Sequence, residues 1–454
     1  FAQILNTIGN DAPNIKEASY VKNVFNTIQR LIRDEKIVAG HDVASGGLVT
    51  TLLEMCFADN NLGAELDITA LNEKDSFKVL FAENAGIVIQ SLDTSIETVL
   101  ANANIQYFNI GKVTGSDVLS IINHAEVFTL TISRLRDMWY KTSLLLDRKQ
   151  TANGLADVRF ENYKNQPLQY TFPKHFTGKL EDVIGSAVKQ SHSDKQIATS
   201  QAPRNDRQKA AILREKGSNS EREMANAMYL AGFDVKDVHM TDLISGRETL
   251  EDIQFIGAVG GFSNSDVLGS AKGWAGAFKY NEKANIALKN FFKREDTLSV
   301  GICNGAQLWM ELDLVNPEHD VHGKLTYNDS GKHESAFTSV IVQDNNSIML
   351  STLAGTTLGV WISHGVGKFN LPYTEDKYNI VAKYGYEGYP HNPNGSDFNT
   401  AMMCDKTGRH LVTMPHIERS TFQWNWAHYP QGRNDEVSPW LEAFVNARKW
   451  IENH

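Results

Sequence analysis

Cysteine is scarce in this chain, three among 454 residues. Cys56, Cys303 and Cys404 are widely spaced and odd in number, which excludes a disulfide framework and a clustered zinc site. Long apolar runs are missing too: none approaches the roughly 18 residues a membrane helix needs, and the opening residues do not read as a signal peptide. Positive charge is also short, with 44 Lys and Arg against 54 Asp and Glu for a net charge of -10, which argues against a nucleic-acid binder. Internal repeats and low-complexity tracts are absent. The expectation is a soluble cytoplasmic protein with no membrane and no nucleic-acid partner. Its length suggests two or three domains. Phe1 stands where Met would open a complete chain, inside a helix-like pattern, so a piece of a longer polypeptide is expected.

What is present centres on Leu298–Met310, LSVGICNGAQLWM. An apolar run to Ile302 stops at Cys303, and Asn304-Gly305 lead into a helix-like pattern. This is a strand, a tight turn carrying one thiol, and a helix start. Gly301 and Gly305 flank the thiol, where bulky neighbours would clash as the chain reverses. A sulfur near a helix N-terminus gains from the partial positive charge there, which favours thiolate. A buried Cys at a strand end is the plainer alternative for this stretch alone.

More than a hundred residues later the chain reads HLVTMPHIER, His410–Arg419. An apolar strand ends at Pro415, and His416 and Glu418 follow at i and i+2, a spacing that places both side chains on one face of an extended segment. Imidazole can then accept the thiol proton while the carboxylate fixes its tautomer and stabilises the imidazolium. His364 also follows a strand but has no carboxylate two residues on. Amide hydrolysis further needs preorganised N–H donors for an oxyanion, and Gly260-Gly261-Phe262 after a strand is a candidate, an ordinary turn being the alternative.

Residues 209–454 resemble a class I (triad) glutamine amidotransferase domain, with Cys303, His416 and Glu418 on its three catalytic positions. Four more stretches, ILREKGSNSEREMANAMYLAGFDVKDVHMTDL, GGFSNSDVLGSAKGWAG, YPHNPNGS and SPWLEAFVNARKW, resemble the glutaminase end of the large single-chain phosphoribosylformylglycinamidine synthases of purine biosynthesis. The resemblance implies a doubly wound, flavodoxin-like α/β domain with Gly261 and Asn304 backbone amides as the oxyanion hole. It implies glutamine contacts from Gln307 and from Ser363, His364 and Gly365. Val366 stands where the family commonly has Glu, which removes a charge there. Ammonia released from glutamine would reach a second site, where ATP with Mg activates formylglycinamide ribonucleotide. Domains upstream of this chain would supply that site, in a monomeric full-length enzyme. A triad amidotransferase for another acceptor would share the three catalytic residues. A silent nucleotide-binding scaffold would not be expected to keep all three.

Earlier in the chain, Val21, Val24, Phe25, Ile28, Leu31 and Ile32 recur at helical spacing up to Gly40. AGHDVASGGLVTTLL then gives a strand, a Gly-bearing turn and a helix, either a plain turn or a phosphate or metal loop. Alternating strand and helix signals follow, the rhythm of an α/β domain. Residues 1–150 resemble the C-terminal domain of aminoimidazole ribonucleotide synthetase, and the resemblance makes Asp42 a Mg ligand. It makes the position of Ala44 a nucleotide contact that the family fills with Ser. Thr131–Gln150 reads as an amphipathic helix with Leu135, Met138, Trp139, Ser143 and Leu146 on one side. Residues 151–208 read as a connecting segment, with aromatic anchors in FENYKNQPLQYTF and linker composition from Lys189 to Gln208. Ser220 and Glu223 form a capping-box pattern for a helix that Gly232 stops.

Overall fold

The computed structural model describes residues 2–7, 14–58, 61–165, 169–185 and 208–454. All but the last residue of the linker expected at 189–208 lies outside them. The chain divides into two compact units, Phe1–Leu146 and Asp147–His454. Among the described residues no helix is long and apolar enough to cross a membrane.

In the first unit, β1 (Ala39–Asp42) pairs antiparallel with β3 (Ile87–Gln90). A four-stranded sheet runs in the order β4 (Gly111–Thr114), β2 (Gly63–Asp67), β5 (Val118–Asn123), β6 (Glu126–Thr131). Leu119 and Ile121 alternate inward along β5, as a strand's period of two requires. They join Leu66 of β2 and Val49 and Leu52 of the helix Gly47–Cys56 in one core. Gly47 lies so close to the Leu80 carbonyl that a Cβ there would come within 2.7 Å of it, a packing reason for the glycine.

Two expectations for this region are corrected. The first long helix spans Ala18–Arg33 and stops well before Gly40, which sits inside β1. Glu35, at φ 55°, turns the chain left-handed, so the Lys36 N–H donates to the Leu31 carbonyl at 2.9 Å and closes the helix without glycine. In the helix Ile132–Gln150 the buried residues are Ile132, Arg136 and Leu144, while Met138, Trp139 and Leu146 are exposed. The apolar stripe misled because the buried side carries an arginine, whose guanidinium donates to the Phe57 carbonyl.

The second unit is built on a nine-stranded sheet. Five neighbours run parallel: β8 (Asp234–His239), β7 (Lys209–Arg214), β9 (Phe255–Ala258), β10 (Leu298–Ile302) and β17 (His410–Thr413). Strand β9, the middle of β7 (Ala210–Leu213) and β10 are buried, β10 with Ser299 as its one polar residue, because helices cover both faces of a doubly wound sheet. The wholly parallel sheet expected from the βα rhythm is extended here. Beyond β17 the order continues antiparallel through β16 (Thr400–Cys404), β15 (Asn379–Tyr384), β12 (Glu334–Val342) and β13 (Thr357–His364). A short antiparallel pair, β11 (Lys324–Tyr327) with β14 (Val366–Asn370), stands apart from this sheet.

The connecting reading of residues 151–208 is corrected for the part described. Residues 151–165 and 169–185 belong to the second unit, and Phe176, Val183 and Ile184 enter its core. Thr171 exchanges both backbone hydrogen bonds with Thr357 of β13, at 2.9 and 3.0 Å. Tyr170 and Phe172 pack edge-on against Trp426, with ring centres 5.2 and 5.7 Å apart. The aromatic anchors expected in FENYKNQPLQYTF are these rings, and the strand pairing at Thr171 is the part that the sequence did not announce.

The elbow glycines have a close-packing cause. A Cβ on Gly305 would lie 2.0 Å from the Ala258 carbonyl oxygen of β9, and one on Gly301 would lie 2.5 Å from the Gly305 carbonyl oxygen. Gly305→Ala is expected to destabilise the unit by about 3 kcal/mol, read as a lowered urea midpoint at unchanged slope. A loss within about 0.5 kcal/mol would mean that the helix and β9 part without cost.

Candidate active site

Strand β10 ends at Ile302, and the next residue must turn sharply for the helix Asn304–Glu311 to begin at once. Cys303 makes that turn at φ 53°, ψ -104°, a conformation that normally favours glycine. Its N–H donates to the Thr413 carbonyl at 2.8 Å, and its carbonyl accepts from the Gln307 N–H at 3.0 Å. The thiol is thereby thrust off the C-terminal edge of the sheet, with Sγ 3.6 Å from the Ser363 carbonyl oxygen.

His416 comes from the neighbouring strand end. Its backbone N–H donates to the Trp361 carbonyl at 2.8 Å, so β13 fixes it two residues from the carbonyl that meets the thiol. The segment after Pro415 is not extended, as the i, i+2 reading supposed. Ile417–Arg419 is a single 3-10 turn with His416 at its cap. The pair still meets: His416 Nδ1 lies 2.6 Å from Glu418 Oε1, both side chains buried. Burial opposes the imidazolium, but the Glu418 charge and hydrogen bonds to Cys303 and Glu418 outweigh it, and the imidazole pKa is pushed up to about 10. Burial likewise opposes the Glu418 carboxylate, and the His416 charge reverses that, holding its carboxyl below the usual range. Gly260 makes room for this group. A Cβ there would lie 2.9 Å from His416 Cε1 and 3.5 Å from Cys303 Cβ, so the three meet at one point.

The other residues singled out from sequence fall around the thiol, with different environments. Asn304 is the first helical residue after it, where a backbone N–H has no intrahelical partner. Its side chain accepts from the Ser263 N–H at 3.1 Å and donates to Gln307 Oε1 at 2.7 Å. Gln307 Nε2 in turn donates to the Val366 carbonyl at 2.5 Å, so this buried carboxamide ties the elbow helix to β14. Gly261 sits at φ 117° in a bridge with Ser218. Ser363 Oγ pairs with His333 Nε2 at 3.1 Å. The His364 ring is buried away from the triad pair's hydrogen bonds, against Asn328 Oδ1 at 3.3 Å, with Nε2 unpartnered. Burial and the neighbouring His416 and His333 charges press its pKa down to about 3, so it is neutral. Gly365 accepts the Asn328 N–H at 3.0 Å. The capping box at Ser220 and Glu223 does not form: Ser220, at φ 70°, accepts the Gly260 N–H at 3.3 Å instead and supports the site wall.

Asn328 and His333 went unnoticed in the sequence. Nothing local marks them, and their roles come from the meeting of β13 with the loop before β12.

In the first unit, Asp42 has an exposed carboxylate (side chain 77% accessible) whose ion-pair neighbour is His41 at 3.6 Å. Among the described residues no group of three His, Cys, Asp or Glu side chains could hold a metal. One exposed carboxylate does not make a Mg site, so no step is derived through that ion. Ala44 is exposed at the turn and offers no side-chain oxygen.

Residues 207–451, more than half of the chain, match the family model of the CobB/CobQ-like glutamine amidotransferase domain. The chain belongs to this amidotransferase family. Residues 3–123 match the model of the C-terminal domain of AIR synthase related proteins. Among curated relatives, a probable phosphoribosylformylglycinamidine synthase, chloroplastic/mitochondrial, of Arabidopsis thaliana is 38% identical, covering 100% of this chain and 33% of that protein. A probable phosphoribosylformylglycinamidine synthase of Caenorhabditis elegans is 34% identical, over 99% of this chain and 36% of its own length. The Homo sapiens phosphoribosylformylglycinamidine synthase is 35% identical, over 99% of this chain and 35% of its own length. The amidotransferase chain thus spans about a third of the length of these relatives.

Proposed function

We propose that this amidotransferase chain is the glutamine-hydrolysing part of a phosphoribosylformylglycinamidine synthase. The observation that carries the proposal is the thiol on a strained strand–helix elbow, meeting beside Gly260 an imidazole that a buried carboxylate holds at 2.6 Å. In this reading His416 takes the Cys303 proton and the thiolate attacks the side-chain amide carbon of glutamine. The backbone amides of Gly261 and Asn304 receive the oxyanion. Ammonia leaves with a proton from His416, and water, deprotonated by the same imidazole, releases glutamate from the thioester. Ser363 and Gly365 hold the amino-acid end of glutamine with their backbone. Gln307 and His364 act from behind, since their polar atoms are engaged or buried within the protein.

Identity of 34–38% to proteins of that name across the whole chain supports the larger reaction. In that reaction the ammonia converts formylglycinamide ribonucleotide to its amidine with ATP, a carbon–nitrogen ligation. ATP and the ribonucleotide would be bound with the help of residues outside this chain. The acidic charge and three free thiols suit a cytosolic setting; the Arabidopsis relative's name places that protein in plastids and mitochondria.

The test is covalent trapping. A glutamine-like chloroketone is expected to add once per chain, at Cys303, with a rate that saturates with reagent and is suppressed by glutamine, read by intact mass and peptide mapping. Modification at Cys56 or Cys404 instead, or no protection by glutamine, would sink the proposal.

A further inference from the structure

The strip Ser363–Gly365 beside the thiol is held from outside the triad. Asn328 Nδ2 donates to the His364 carbonyl at 2.7 Å and its N–H to the Gly365 carbonyl at 3.0 Å, while His333 Nε2 pairs with Ser363 Oγ at 3.1 Å. Glu334 is the register partner of His364 across β12 and β13. The glutamine pocket's wall is therefore only as fixed as the loop 328–334.

That loop is pinned by a segment more than 140 residues before Cys303. Arg159 divides its guanidinium between two carboxylates, Nη1 on Asp147 at 2.9 Å and Nη2 on Glu334 at 2.7 Å. Lys332 Nζ reaches the other oxygen of Asp147 at 2.5 Å. The Tyr389 hydroxyl donates to Glu334 at 3.0 Å, and its ring lies under the Arg159 guanidinium at 4.7 Å. Backbone and amide ties run alongside: the Ala152 N–H donates to Ser330 and Asn153 Nδ2 to Asp329, both at 2.8 Å. The cluster holds two cations and two carboxylates, and the carboxylates are the most buried members, 14% accessible at Asp147 and 7% at Glu334. A partly buried, charge-balanced network with a forked arginine fixes geometry more than it adds stability.

We propose that Asp147 and Arg159 are positioning residues for glutamine binding, setting the Ser363–Gly365 wall through Lys332 and Glu334. The proposal rests on the glutaminase reading above. Because the network touches neither the thiol nor His416, its loss displaces the pocket wall and leaves the triad assembled. Small displacements of a binding wall carry large kinetic penalties.

The experiment compares two reagents on Cys303 in the full 454-residue chain. One is the glutamine-like chloroketone, which needs the pocket. The other is iodoacetamide, which needs only the thiol. Arg159→Gln is expected to raise the half-saturating chloroketone concentration about tenfold with its limiting rate nearly unchanged, and to leave iodoacetamide alkylation within about twofold. Arg159→Lys, which keeps one of the two contacts, should recover part of the shift. Should Arg159→Gln fail to fold, Lys332→Gln, which removes one partner of Asp147, should show a smaller shift of the same kind. Unchanged half-saturation in the variants would overturn the inference, as would equal slowing with both reagents, which marks a merely structural network. Absence of saturation in the unaltered chain would overturn the glutaminase reading itself, and this inference with it.

Discussion

Cys303→Ala is expected to lower glutamate release from glutamine by a factor on the order of 10^5 or more, because the thioester cannot form and no other group meets His416 at that point. Cys56 and Cys404 cannot substitute. Burial pushes both thiols up from their ordinary pKa, and Cys404 Sγ is committed to Asn346 Oδ1 at 3.4 Å. Trapping by the chloroketone should vanish in the same variant, a more sensitive reading where turnover of the unaltered chain is slow. The elbow adds a second, opposite consequence. Cys303 holds a positive φ of 53° that costs a side chain roughly 1–2 kcal/mol. Cys303→Gly should therefore be as inactive as Cys303→Ala yet more stable than the unaltered chain by about 1 kcal/mol, measured by urea unfolding. A glycine variant less stable than the alanine variant would show that the elbow is not strained. Residual turnover above about one part in 10^3 in either variant would remove Cys303 from the mechanism.

Glu418→Gln is expected to lower glutaminase turnover on the order of 10^3- to 10^4-fold while leaving Cys303 in place. An amide can present its N–H to Nδ1 as well as its oxygen, so the ring orientation is no longer fixed, and the imidazolium loses its counter-charge. The same change has a pH signature in stability. His416 is raised from 6.5 to about 10, so its stabilising charge is fully present below about pH 6.5 and is lost as pH rises toward 10. Glu418 is lowered from 4.5, so its contribution is present above about pH 4.5 and is lost as pH falls further. The thermal penalty of Glu418→Gln should be largest between about pH 4.5 and 6.5 and should shrink steadily up to pH 10. Breaking one side of a buried pair places that maximum at about 3 kcal/mol. A penalty that stays constant from pH 6 to pH 10 would mean that the pair is not ionised in the folded chain.

The sequence by itself determined the elbow, its thiol and the His-x-Glu pair. Each is encoded locally: Gly301 and Gly305 by the close approach of backbone, Cys303 by the end of an apolar strand, His416 and Glu418 by the turn that follows another. It also determined the parallel half of the sheet, because strands buried on both faces are almost continuously apolar, as Ala210–Leu213 is and as Leu298–Ile302 is apart from Ser299. Other features needed the tertiary structure. The antiparallel strands β12, β13, β15 and β16 carry mixed sequences whose pairing is set by neighbours far along the chain. The 3-10 turn after His416 replaced an extended segment because the Trp361 carbonyl captures its N–H. Ser220 left its helix-capping role because the Gly260 N–H competes for its hydroxyl. Thr171 is anchored by a bridge to Thr357, a contact that no periodicity announces. Asn328, His333, Asp147 and Arg159 belong to the site's surroundings for the same reason. A polar side chain's role depends on which distant carbonyl or charge it meets, and only the folded chain brings those together.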